Sequence, residues 1–123
     1  MASDPIFEPL LVPSANSLPP TATVTAAAGS TATITILGGS NNWRGQVSIA
    51  SAGTGQAAGK VAGVVFGVPF AAAPFVILMP VNATAQGVNA AAANPSTTGF
   101  DIDAATALTA ASTYSYNYLV LQQ

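Results

Sequence analysis

The chain has 123 residues, half of them apolar, and its Lys, Arg, Asp and Glu together make up only 5%, for a net charge of −2. Globular domains ordinarily carry about 25% charged residues, so this composition is the opposite of a disordered chain, and Arg44 and Lys60 alone give no footprint for nucleic acid. Without His or Cys there is no disulfide, no thiolate nucleophile, no imidazole base and none of the common metal-ligand sets, which leaves one apolar domain whose weakly charged surface suits cover by neighbours.

Residues 1–28 form a region of their own. DPIFEPLLVPSANSLPP holds five prolines and two of the four acids, Asp4 and Glu8. Proline fixes φ and favours extended chain, so no helix is expected. Ile6, Phe7, Leu10, Leu11 and Val12 are too apolar for a free linker. The region reads either as an extended docking arm lying in a groove of another subunit or protein, or as a tail that orders only when packed. MASDPIFEPLLVPS has neither the basic start nor the unbroken apolar run of a secretory signal.

From Thr31 the pattern has period two. In TATITIL, Ala32, Ile34 and Ile36 point one way and the threonines the other, as in a half-buried strand. GGSNN turns the chain, and Trp43 and Arg44 lead into GQVSIAS, where Val47 and Ile49 face inward. Two readings stand for Trp43 and Arg44: a pair that stacks on a sugar or anchors an interface, or an indole capping one end of the core. AGTGQAAG (52–59) is a glycine loop; without a Lys and a following helix its glycines serve turns rather than phosphates.

VAGVVFGVPFAAAPFVILMPV (61–81) contains no polar side chain. About 20 apolar residues span a bilayer, but Pro69, Pro74 and Pro80 each remove a helical hydrogen bond that lipid cannot replace. The stretch therefore reads as two buried strands, Val61 to Phe66 and Phe75 to Met79, joined by a turn, and not as a membrane insertion. Continuous apolar strands want cover on both faces: one face meets the domain's own core, and the other needs a second layer or a second subunit.

Beyond Met79 lies a passage of small and polar residues with a short strand expected within Val88 to Ala92. The alanines at 90–93 and 104–111 allow at most one helical turn, because Thr, Asn, Pro and Gly interrupt them. A strand follows around Phe100 and Ile102. In the terminal TYSYNYLVLQ, Tyr114, Tyr116, Tyr118 and Val120 share one face, which suits the core or the axis of a trimer. Strands at intervals of about 10 to 15 residues with turn chemistry between them predict an all-β fold, an antiparallel β-sandwich or jelly-roll-like domain over 29–123 with the extended arm before it.

The Gly-x-Val-x-Ile strand, the G-x-G-x-A-A-G loop, V-x-F-x-x-P-F-A-A-A-P-x-V-x-L-x-P, S-T-T-G-F-D-I and the terminal T-Y-x-Y-N-Y-L-V together resemble β-sandwich domains at the ends of bacteriophage minor tail and fibre proteins. More distantly they are similar to the H-type lectin pattern. The likeness runs from Gly45 to Leu121. It implies a homotrimer in a virion, with partner or host-glycan sites on loops or between subunits, although the charged and aromatic residues that such lectins use for sugar are missing here. An arm plus one domain beginning at Met1 suits a capsid decoration protein, a head fibre or a small tail component, with a receptor-binding tip that recognises host glycans as the alternative.

The remaining chemistry is sparse. Asp101 and Asp103, two apart on a strand, lie on one face about 6 to 7 Å apart, a separation that approaches inverting glycosidases. A solvated face is the expectation, with a weak calcium site as the alternative. Asn82-Ala83-Thr84 matches a glycosylation acceptor but reads as a loop. No cofactor and no catalytic activity is expected.

Overall fold

The computed structural model describes residues 18–122; Ile6, Phe7, Leu10, Leu11 and Val12 lie outside the described residues. Within them the chain forms eight strands: β1 (Thr21–Val24), β2 (Thr33–Ile36), β3 (Arg44–Ser51), β4 (Gly59–Val65), β5 (Phe75–Pro80), β6 (Ala90–Ala93), β7 (Gly99–Ala104) and β8 (Ser112–Leu121). They make two four-stranded antiparallel sheets, ordered β1-β4-β7-β6 and β2-β3-β8-β5. The fold is an all-β sandwich. Only the β2–β3 and β6–β7 links stay within one sheet; every other connection crosses between layers.

Strand periodicity builds the core. On β3 and β8 the inward residues pair as Val47 with Tyr116 and Ile49 with Tyr114, and all four are essentially buried. Ile34 and Ile36 of β2 join Ile49 and Val47 from one side, and Val76 and Leu78 of β5 join Val120 and Tyr118 from the other. The opposing sheet contributes Ala62, Val64, Phe100 and Ile102. Trp43, Phe70, Phe66, Phe100 and Tyr118 continue as a chain of tilted and edge-on ring contacts with centroids 4.9 to 6.0 Å apart, the geometry that aromatic quadrupoles favour.

The 61–81 stretch resolves into β4, a loop and β5, and no helix among the described residues is long and apolar enough to cross a membrane. Pro80 is the last residue of β5, an edge strand, where its missing N–H is tolerated.

The sandwich begins before residue 29. Thr21–Val24 pairs with β4 from Thr21↔Val65 to Val24↔Ala62, and Ala28, in a one-turn 3-10 helix, is fully buried beneath a 2.7 Å hydrogen bond from Ser51 Oγ to its carbonyl. Four residues are too few to display a period, and Pro19 and Pro20 immediately before them mask the strand. Ala90–Ala93 is likewise a strand, paired with β7, because tertiary pairing overrides alanine's helix propensity. The single α-helical turn is Ala83–Gln86, capped by Asn82, whose Oδ1 accepts from Ala85 N at 2.9 Å.

The three inward tyrosines differ in how their hydroxyls are met. Tyr114 accepts from Thr109 N at 2.8 Å, and Tyr118 donates to the Asn41 carbonyl. The Tyr116 hydroxyl is buried without a partner among the described residues. Burial, with a smaller contribution from Tyr114, pushes its pKa up from 10 to about 12, and burial also raises that of Tyr118. Gly45 faces Tyr118 across the ladder, and a Cβ there would sit 2.5 Å from the Tyr118 hydroxyl and 2.5 Å from Ser40 Cβ.

Tyr116→Phe should leave neutral-pH stability within about 0.5 kcal/mol of the parent or raise it, whereas Tyr118→Phe, which strands a carbonyl, should cost about 1–3 kcal/mol in denaturant unfolding; equal costs would contradict the assignment. A phenol whose folded pKa exceeds its unfolded value of 10 contributes stability that is intact below pH 10 and lost as pH rises toward about 12. Unfolding free energy should therefore fall over that window, and less steeply in the double phenylalanine variant. Gly45→Ala should destabilise by about 1–3 kcal/mol through overpacking, and replacing Tyr118 with Phe in the same chain should recover part of that loss.

Candidate functional site

The outward face of the β2-β3-β8-β5 sheet is divided in two along its strands. The rows nearest the β2 start consist of Thr33, Ala50 and Thr113, then Thr35, Ser48 and Ser115. Ser48 and Ser115 hydroxyls lie 2.8 Å apart and bond each other. Past Gln46 and Asn117 the chemistry changes: Met79 stands opposite Asn117, Ile77 opposite Leu119, and Phe75 opposite Leu121. Leu37 continues the same end, its N–H bonded to the Gln46 carbonyl.

Among the described residues nothing covers these apolar side chains. Phe75 is 62% exposed and Leu37 59%, while Ile77, Met79, Leu119 and Leu121 lie between 38% and 46%. Isolated exposed apolar residues are common, but a contiguous set bordered by polar residues marks an interaction surface. Part of it is an open groove of about 410 Å³ between Leu37, Arg44, Gln46, Met79 and Leu119. β5 also ends the sheet, so among the described residues this face adjoins a strand with an unpaired ladder side.

Trp43 and Arg44, side by side in sequence, point to different environments. Trp43 packs edge-on against Phe70 at 5.1 Å, and its Nε1 is buried without a partner among the described residues. Arg44 is exposed in the outward row that also holds Leu119 and Ile77. Both backbone N–H groups donate to Asn41 Oδ1, at 2.8 and 3.0 Å, which fixes the turn before β3. The neighbouring Asn42 is fully buried. Its Nδ2 donates to the Val68 carbonyl at 2.6 Å and its Oδ1 accepts from Gly67 N at 2.8 Å, so it ties the loop after β4 to this end of the sandwich.

Asp101 and Asp103 do share the outer face of β7, but in separate surroundings. Asp101 meets Lys60 Nζ at 3.0 Å and accepts from Asn94 Nδ2 at 3.1 Å. Burial opposes its ionisation, and the Asn94 amide and Lys60 ammonium outweigh that and hold the carboxyl below its usual range. Asp103 Oδ1 is buried without a partner among the described residues. Among the described residues no group of three or more acidic, His or Cys side chains could hold a metal ion. The Asn82 side chain is committed to the helix cap and to the Thr113 carbonyl at 3.1 Å, and Gly53, at φ 79, serves the turn of the 52–59 loop.

Phe75, Ile77, Leu119 and Leu121 were not singled out by sequence reasoning. The available signal was the second face of β8: if Tyr114, Tyr116 and Tyr118 point inward, Leu119 and Leu121 must point outward. Comparison with protein-family models, with curated proteins and with solved structures gives no match.

Proposed function

We propose that this chain is a non-enzymatic structural subunit of a virion, of the bacteriophage decoration, head-fibre or small tail kind, and that it works by self-association, as a trimer. The observation that carries the reading is the apolar half-face formed by Phe75, Ile77, Met79, Leu119 and Leu121, which has no cover among the described residues. A chain with 5% charged residues has little electrostatic repulsion to keep such faces apart. The resemblance of the Gly45 to Leu121 pattern to phage fibre-end domains supplies the virion setting, and the want of His and Cys supports a role without catalysis.

Sedimentation or light scattering of the full chain at micromolar concentration should give a discrete oligomer. Ile77→Thr and Phe75→Ser should each weaken association roughly tenfold or more, since an apolar side chain of this size gains about 1.5–3 kcal/mol when fully buried. Thr33→Ala, Thr35→Ala or Thr113→Ala on the hydroxyl-bearing half should leave it unaltered. A monodisperse monomer in the parent chain would refute the reading.

A further inference from the structure

We infer that the apolar half-face is occupied by the N-terminal segment Asp4–Val12 of a neighbouring copy, so that subunits are joined by exchanged arms. This rests on the self-association reading and names what covers the face.

The first argument is charge. The chain has two cations and four acids. Lys60 is paired with Asp101, whereas Arg44 makes no ion pair among the described residues and sits in the row of Leu119 and Ile77. Two of the acids, Asp4 and Glu8, fall in the segment outside the described residues, on either side of Ile6 and Phe7. In an extended chain, Ile6, Glu8, Leu10 and Val12 would share one face. That face carries three apolar side chains and one carboxylate, the complement of an apolar patch bearing one guanidinium.

The second argument is position and reach. The described chain begins at Leu18, packed on Gly67, where a Cβ would sit 2.8 Å from the Leu18 carbonyl. Gly67 is held by Asn42, and Trp43 O accepts from Val120 N at 2.8 Å, so Leu18 lies at the same end of the sandwich as the start of β3, the end of β8 and the apolar half-face. Pro19 and Pro20 keep the chain extended as it approaches β1. Thr21 pairs with Val65 in the sheet opposite the one that carries the apolar half-face, so the described chain starts in the other layer. Seventeen residues at about 3.3 Å each cover roughly 55 Å, ample to lie across a neighbour's four-stranded sheet of about 15 Å.

The test exploits the absence of native cysteine. One chain carries Ile6→Cys, Leu10→Cys or Val12→Cys, and a second, tagged to differ in mass, carries Ile77→Cys or Leu119→Cys. The two are mixed, allowed to exchange and oxidised, while their oligomeric state is followed under reducing conditions. A cross-link between the two chain types in at least one pairing is expected. In parallel, Arg44→Glu should weaken association about two- to fivefold, as for an exposed ion pair, and Glu8→Arg should restore it. Intact oligomers with no mixed cross-link in any pairing would overturn the exchange while leaving self-association standing. A cross-link that forms only when both cysteines are in one chain would place the segment on its own face and overturn it as well. A parent chain that is monomeric throughout would remove both readings.

Discussion

Strand β8 is the constraint on which the rest depends. It is central in its sheet, bonded to β3 on one side and β5 on the other, and its side chains alternate strictly. Tyr114, Tyr116, Tyr118 and Val120 go inward, which obliges Ser115, Asn117, Leu119 and Leu121 to go outward. The strand cannot slip by one residue without exposing three aromatic rings. Burial of the tyrosines therefore also fixes the apolar outward positions. Stability and the exposed half-face are two consequences of one register.

With so few ionised groups, amides and hydroxyls carry out the ordering that ion pairs and charged caps perform elsewhere. Asn41 closes the turn before β3, Asn42 holds the loop after β4, and Asn82 caps the single helical turn and reaches β8. Ser51 anchors Ala28, and Ser48 meets Ser115 across the ladder. Neutral hydrogen bonds of this kind contribute about 0.5–1.5 kcal/mol net each, and they keep their strength in salt, unlike surface ion pairs. A fold held this way needs little charge, which leaves its surface without long-range repulsion.

The sandwich was legible where side chains differ in kind along a strand. TITI and QVSIAS alternate polar with aliphatic residues and TYSYNY alternates polar with aromatic ones, and the structure pairs those strands as the alternation requires. Legibility failed where composition is uniform. FVILM has the same character at every position, so its inward Val76 and Leu78 and outward Phe75, Ile77 and Met79 can be told apart only through pairing with β8. The strand expected within Val88 to Ala92 is there as Ala90–Ala93, but without side-chain contrast its facing could not be read, and TATV is short and sits behind two prolines. Trp43 and Arg44, adjacent in sequence, separate because consecutive strand residues face opposite layers; one joins the aromatic cluster and the other the outer face.

The division of the outer face bears on how association can be limited. A uniformly apolar sheet ending in a free edge would stack or add strands without end. Here the rows at one end of β2, β3 and β8 are Thr and Ser, with Ser48 and Ser115 bonded to each other, while the aliphatic rows are confined to the other end, on the side where Leu18 lies. Pro80 removes a donor at the end of the edge strand β5. Attraction thus has a defined position and direction on the subunit, which is what a closed symmetric oligomer requires. In the proposed exchange, a patch on the side of Leu18 would let one segment link copies without adding a second interface.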